Sequence, residues 1–406
     1  MAKQSRIFGA TQMIPYGKQE ITQSDIDAVV ETLKSPFITQ GPKTQEFEQK
    51  VAQKVGAEFG VSFNSATSAL HCAALALGLG KGDWLWTTPN SFVASANCGI
   101  YCGAKVDFVE IHPRTYNLDA RKLEKKLKST PKHKLPKVLV AVHFAGQSCD
   151  MKRIWKLSKK YHFKIIEDAS HALGGSYREL PIGCCKFSDI TIFSFHPVKI
   201  ITCAEGGIAT TNNPKYVRKM QMLRSHGITK DSEDFVGSFM VGFKGDNAGA
   251  WYYEQQLLGF NYRLSELHAA LGISQLERLE AYVAKRNELV RTYNESLKDL
   301  ELTLPFVAPY NYSAFHLYVV LLNKKSGIKR RELFAKLQEE GIGAQVHYIP
   351  IHLQPFYAHF GFKKGDFKVA ESYYKHAITL PLFPTLTAQE QQKVIDTLRN
   401  CVCKKA

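Results

Sequence analysis

The sequence predicts an α/β protein with a large domain on a mostly parallel sheet and a smaller C-terminal α+β domain. Four short apolar runs, Val138 to Gly146, Phe163 to Ser170, Asp189 to Phe195 and Gly206 to Thr211, read as strands covered on both faces. Between the first two, "DMKRIWKLSKKY" sets Ile154, Trp155 and Leu157 at helical spacing. A strand, a helix and a strand in that order imply a parallel crossover. A chain of 406 residues is also too long for one small core.

Upstream of these runs, "NSATSALHCAALALGLG" opens on the N-cap residues Asn64 and Ser65, continues as an alanine- and leucine-rich helix to Leu77, and stops near Gly78. Downstream, "SAFHLYVVLL" reads as a strand and "RRELFAKLQEEG" as a helix ended by Gly341. "AQVHY" reads as a further strand, and "TAQE", Thr387 to Glu390, as a capping box opening the last helix. The boundary is expected near Tyr282, giving a large domain over 1–281, N-terminal arm included, and a small one over 282–406.

Hydrophobic residues at 45% and charged residues at 22% fit a soluble globular protein. No run reaches the roughly 18 to 20 apolar residues of a membrane span, and the first residues carry no apolar signal core, so a cytoplasmic protein with no membrane partner is expected. Nine cysteines, with no CxxC pair and no zinc-knuckle spacing, point to free thiols in a reducing compartment and to no metal site. The net charge of +16 raises nucleic acid as a partner. Its richest runs, Arg121 to Lys137 and Lys152 to Lys164, read instead as solvated helix faces without interleaved stacking aromatics. An anionic small substrate suits the charge equally well, and no nucleic acid is expected.

The candidate chemistry lies in "IIEDASHALGG", Ile165 to Gly175, and "SFHPVK", Ser194 to Lys199. In parallel sheets ligands sit beyond the carboxyl ends of the strands, so Asp168 and Ser194 should share one crevice. Alternation along the strand sends Glu167 to the opposite face. An ionised Asp168 can hold a cationic heterocycle through a charge-assisted hydrogen bond, making the ring an electron sink. Lys199, just after a strand end, becomes a candidate amine nucleophile if its pocket is dry. The helix opening at Asn64, with Ser65 and Thr67, offers amides and hydroxyls to a phosphate. On spacing alone, Phe92 in "TTPNSFVASAN" fits a ring that stacks on a heterocycle and a plain core residue equally well.

The motifs "NSATSAL", "TTPNSFVAS", "VHFAGQSCDM", "IIEDASHALGG", "SFHPVK", "EGGIATTN", "RSHGI" and "NYRLSELHAALG" stand in order over nearly the whole chain. In this they resemble the pyridoxal-phosphate sugar-nucleotide aminotransferases of the DegT/StrS family, which have fold type I. The resemblance implies that Lys199 binds the cofactor aldehyde covalently and Asp168 meets its pyridine nitrogen. His171 would lie near the ring hydroxyl, Ala66, Thr67 and Ser194 would hold the phosphate, and Phe92 would stack on the ring. Asn261 would reach the phosphate of a neighbouring subunit, which implies a homodimer with shared sites. Substrate contacts would come from Tyr16, from Ile38, Thr39 and Gln40, and from Gln345, Val346, His347 and Tyr348. The implied reaction moves an amino group from L-glutamate to a nucleotide-linked 4-keto-6-deoxy sugar.

Alternatives are another sugar-nucleotide 3- or 4-aminotransferase, or a cofactor-binding regulator without turnover. Dehydratases of the same fold carry histidine in place of the lysine, so Lys199 counts against them. Two stretches depart from the pattern. Trp84 and Trp86 are expected to alter packing, and the segment from Phe235 to Gly259 to shape the sugar site.

Overall fold

The computed structural model describes residues 13–236 and 251–405. Its main sheet has seven strands in the order Phe59–Phe63, Gly207–Thr211, Ile190–Ser194, Lys164–Asp168, Val138–Val142, Trp84–Thr87 and Lys105–Phe108. All neighbours run parallel except Gly207–Thr211, which is antiparallel to both strands beside it. The helix Met151–Tyr161 joins the parallel pair Val138–Val142 and Lys164–Asp168, which is the crossover expected from the sequence.

Alternation along the strands sorts the side chains between two faces. Val138, Val140, Val142, Ile166, Ile190 and Ile192 enter one core with the helices Ala66–Ala76, Ala94–Tyr101 and Pro214–Arg224. Leu139, Ala141 and Ile165 face the other way, against Ala120–Ser129 and Met151–Tyr161. Phe193, Phe195 and Ile208 pack with Pro42–Val55 and Glu266–Leu276. By the same parity Asp168 shares its face with Ile166 and Ser194 shares its face with Ile192, so both belong to the side covered by the Ala66–Ala76 helix.

Trp86 lies on the opposite side and is fully buried, with Trp84 packed against the same core. The indole Nε1 of Trp86 has no hydrogen-bond partner among the described residues. That omission costs about 1–3 kcal/mol. Burying an aromatic surface of roughly 150–250 Å² at about 25 cal/mol/Å² gains more, so packing explains the residue.

The helix Leu279–Leu297 serves two cores. Leu279, Tyr282 and Val283 pack with the main sheet, whereas Leu289, Val290, Tyr293 and Leu297 pack with a second, three-stranded sheet. Between the two sets, buried Arg286 donates from Nη1 to the carbonyls of Phe315, His316 and Leu382 at 3.3, 3.4 and 2.9 Å. The second sheet is antiparallel, in the order Leu302–Thr303, Tyr318–Leu322 and Ala377–Leu380, with the helices Arg330–Glu339 and Ala388–Cys401 contributing to its core. The capping box at Thr387 and Glu390 opens the last helix.

One expectation fails here. "AQVHY" is not a strand, because it makes a single bridge, Gln345 to Thr379. After that bridge His347 and Tyr348 turn to a cavity, and Pro350 brings no amide to a ladder. The missing strand is Ala377–Leu380. Among the described residues no helix is long and apolar enough to cross a membrane.

Candidate active site

Register places Val142, Asp168 and Ile192 side by side, and Ser194 closes the neighbouring strand two residues further on. Beyond these ends lies a cavity of about 330 Å³. Of the residues singled out from the sequence, Tyr16, Ala66, Thr67, Phe92, Asp168, His171, Ser194, Lys199, His347 and Tyr348 line it.

Asp168 is buried and its two oxygens are used unequally. Oδ1 accepts from the amide of Ser170 at 3.2 Å and from its hydroxyl at 2.6 Å, and Oδ2 accepts from the Ser95 hydroxyl at 2.6 Å. Glu167 faces away from the cavity and meets His143 Nε2 at 2.6 Å, together with Ser188 and Thr191. Burial alone would raise the Glu167 pKa, but these hydrogen bonds outweigh it and hold the carboxyl below its ordinary value.

Lys199 sits in the turn after the Ile190–Ser194 strand. Burial lowers its pKa to about 8, against the opposing attraction of Asp168. About a tenth of the amine is therefore neutral at pH 7, far more than for an ordinary lysine, as a nucleophile requires.

Burial also pushes His171 well below the usual imidazole range, aided by Lys199 and His347. The neutral ring accepts the Ala145 amide at Nδ1, at 3.3 Å. Its proton is thus on Nε2 and is donated to the Tyr348 hydroxyl oxygen at 3.1 Å, which leaves the Tyr348 proton free for the cavity. Burial and Lys199 lower the His347 pKa to about 3, and its Nδ1 lies 2.9 Å from Thr379 Oγ1.

The polar end of the helix Ala66–Ala76 forms one wall. Ser65 caps it by accepting the Ser68 amide, and the amides of Ala66 and Thr67 precede any intrahelical acceptor. Phe92 also lines the cavity and is 59% exposed, so the core alternative does not apply.

Six residues from the sequence reading do not line this cavity. Gln345 and Val346 lie just before His347 in the chain. Ile38, Thr39 and Gln40 are exposed and held beside the segment of Asn261, because Thr39 bridges Ser265 and the Glu266 amide donates to Ile38 at 3.1 Å. Asn261 is exposed and bridges Ser225. Of Phe235 to Gly259, residues 237–250 lie outside the described residues.

A model of the DegT/DnrJ/EryC1/StrS aminotransferase family matches residues 19–399. The chain belongs to that family. It is 38% identical over 391 residues to the UDP-4-amino-4,6-dideoxy-N-acetyl-beta-L-altrosamine transaminase of Campylobacter jejuni, spanning 95% of this chain and 96% of that one. Among solved structures it is similar to Helicobacter pylori PseC, an aminotransferase involved in the biosynthesis of pseudoaminic acid, with TM-score 0.85, 32% identity and 96% and 99% of the two chains covered. The PLP-form of the sugar aminotransferase Spr1654 of Streptococcus pneumoniae matches with TM-score 0.85 and 29% identity over 96% and 98%. This chain is a sugar aminotransferase dependent on pyridoxal phosphate.

The residues present fit that cofactor. A depressed lysine, a buried carboxylate, a helix N-terminus and an exposed aromatic face meet in one cavity. A close approach closes the wall at this helix N-terminus: a Cβ on Gly207 would stand 2.4 Å from the Ala66 nitrogen and 2.5 Å from the Ser65 carbonyl carbon. Gly207→Ala is therefore expected to push the cradle aside and weaken cofactor binding by about an order of magnitude, roughly 1.4 kcal/mol. Titration of the purified variant with pyridoxal phosphate, followed by absorbance, measures the change.

The sequence reading passed over Ser91, Ser95 and Ser170. The signal was present, since Ser91 and Ser95 bracket Phe92 in "NSFVAS" four residues apart and Ser170 stands two after Asp168. Only the acid was weighed, and not the hydroxyls that a buried acid requires.

Proposed function

We propose that this enzyme transfers an amino group from L-glutamate to UDP-2-acetamido-2,6-dideoxy-beta-L-arabino-hex-4-ulose, a step of pseudaminic acid biosynthesis. The observation that carries this reading is the match, along nearly the full length of both chains, to a transaminase named for the aminated product of that sugar. The name of PseC supports it from the side of structure.

Bound pyridoxal phosphate supplies an electron sink for the donor's α-carbon and carries nitrogen between two half-reactions. Lys199 holds the cofactor, gives way to the donor amine, and then moves the proton at the donor's α-carbon through its Nζ. Asp168 keeps the ring nitrogen cationic. Ala66, Thr67 and Ser194 hold the phosphate, Phe92 covers the ring, and His171 lies at the ring hydroxyl. Tyr16, His347 and Tyr348 face the sugar, with Gln345 and Val346 beside them. Incubation with glutamate and a panel of UDP-, dTDP- and GDP-linked keto sugars, followed by 2-oxoglutarate release and product mass, tests the assignment. Release with the dTDP- or GDP-linked sugars alone would overturn it.

The same reading makes the enzyme a homodimer. Asn261 and the loop of Ile38, Thr39 and Gln40 lie together at the surface, which suits residues that complete a neighbour's cavity. Sedimentation should give a dimer. Asn261→Ala should weaken cofactor binding by about 1.5–3 kcal/mol, the worth of a hydrogen bond to a charged group. Co-refolding Lys199→Ala with Asn261→Ala should produce hybrids with one site holding both groups and one holding neither, so activity should exceed that of either parent. A fully active monomer, or hybrids no better than their parents, would contradict the shared site.

A further inference from the structure

The hydroxyls around Asp168 allow a count of its acceptor sites. A carboxylate offers about two lone-pair sites on each oxygen. Oδ1 is filled by the Ser170 amide and hydroxyl, whereas Oδ2 holds a single partner, the Ser95 hydroxyl. Any further donor entering from the cavity must therefore meet Oδ2, the oxygen that Ser95 already shares.

The direction of the remaining contacts follows from proton number. Ser95 has one proton and gives it to the acceptor-only carboxylate, so it cannot also donate to Ser91. The Ser91 Oγ, 2.7 Å from the Ser95 Oγ, must be the donor in that pair. Ser95 is fully buried and Ser91 nearly so, while Ser91 lines the cavity. The result is a one-way chain, Ser91 to Ser95 to Asp168 Oδ2, in which each link polarises the next.

Both serines are anchored. Ser91 and Ser95 span the turn that enters the helix Ala94–Tyr101, and the Ser95 amide donates to the Phe92 carbonyl at 3.3 Å. The turn that carries the stacking ring thus also carries the hydroxyls that orient the acid.

We propose that Ser95, oriented by Ser91, is a positioning residue that fixes Asp168 with Oδ2 as its one open acceptor and aims that oxygen at the cofactor's ring nitrogen. The proposal rests on the reading that Asp168 meets that nitrogen. Ser95 makes no contact with substrate in this scheme. Its hydroxyl holds Oδ2 in place, so that the open lone pair of that oxygen stays turned toward the ring proton.

Removing the hydroxyl leaves Oδ2 free to turn away from the ring nitrogen. That misalignment lessens the positive charge on the ring, and the lysine-bound cofactor then keeps its own proton to higher pH. The probe is pyridoxal phosphate added to the purified full chain, with the visible band followed from pH 5 to 10. Ser95→Ala should move the titration midpoint upward by about half a unit or more. Ser91→Ala, which leaves the Ser95–Asp168 bond in place, should move it in the same direction by less, and Ser95→Thr, which keeps the hydroxyl, should restore it. An unchanged midpoint in a Ser95→Ala protein with a wild-type circular dichroism spectrum would overturn the proposal. If Ser95→Ala does not fold, an unchanged midpoint in Ser91→Ala does the same. A wild-type chain that develops no visible band would instead overturn the placement of the cofactor, so the two failures are distinguishable.

Discussion

Lys199→Ala is expected to abolish transamination while leaving the protein folded. The Lys199 amine has no hydrogen-bond partner among the described residues, and the local turn is held by the backbone, through the Lys199 amide to the His196 carbonyl at 2.8 Å. Removing the side chain thus breaks no hydrogen bond, and Asp168, which loses the attraction of the amine, keeps its donors from Ser95 and Ser170. The pH dependence has a definite sign. The folded-state pKa of about 8 lies below the unfolded value, so at lower pH the folded chain carries a charge that burial disfavours. That cost disappears as pH rises toward the unfolded value. At neutral pH the variant's unfolding temperature should therefore equal or exceed that of the wild type, as calorimetry would show. In the wild type, the rate of cofactor capture should climb about tenfold per unit below pH 8 and level off above it, following the neutral amine. Arginine is no substitute, because its guanidinium stays protonated. Wild-type multiple turnover by Lys199→Ala, measured by 2-oxoglutarate release, would remove Lys199 from the chemistry.

The parts of this protein that were legible in its sequence are those governed by local pattern. Uninterrupted apolar runs such as "VLVAV" announced strands covered on both sides, and parity along "KIIED" separated Glu167 from Asp168. Caps such as Ser65 and Thr387 fixed helix starts because their side chains satisfy amides within four residues. "AQVHY" misled because alternation is necessary for a strand but does not supply a partner for every residue, and here the chain leaves the sheet after Gln345. The strand Ala377–Leu380 was hidden because four buried residues follow directly on the helix Lys368–His376, with no turn signal between them. The site was legible at Lys199 and Asp168, whose residue types are costly to bury without purpose. The hydroxyl chain was not, because Ser91 and Ser95 lie more than seventy positions from Asp168 and only the folded sheet brings them together.

Asp168→Asn should lower turnover by orders of magnitude without releasing the cofactor. The amide nearly matches the carboxylate in shape, and its surroundings dictate how it sits. Two donors of Ser170 face one position, at 3.2 and 2.6 Å, so the carbonyl oxygen of the new side-chain amide must occupy it and the NH₂ must turn toward Ser95. Ser95 can then accept from that NH₂ and donate to Ser91, reversing the chain without leaving a polar group unpaired. The fold should survive for that reason. The second proton of the NH₂ enters the cavity as a donor, and it suits only a neutral, unprotonated ring nitrogen. Hydrogen bonding is thereby kept while charge is lost, and the ring withdraws electrons less strongly from the donor's α-carbon. In the proposed placement Lys199, Ala66, Thr67 and Ser194 would still hold the cofactor, so absorbance should show it bound as turnover falls. A loss of less than about tenfold, under roughly 1.4 kcal/mol of barrier, would mean that the charge at position 168 is not what drives the reaction.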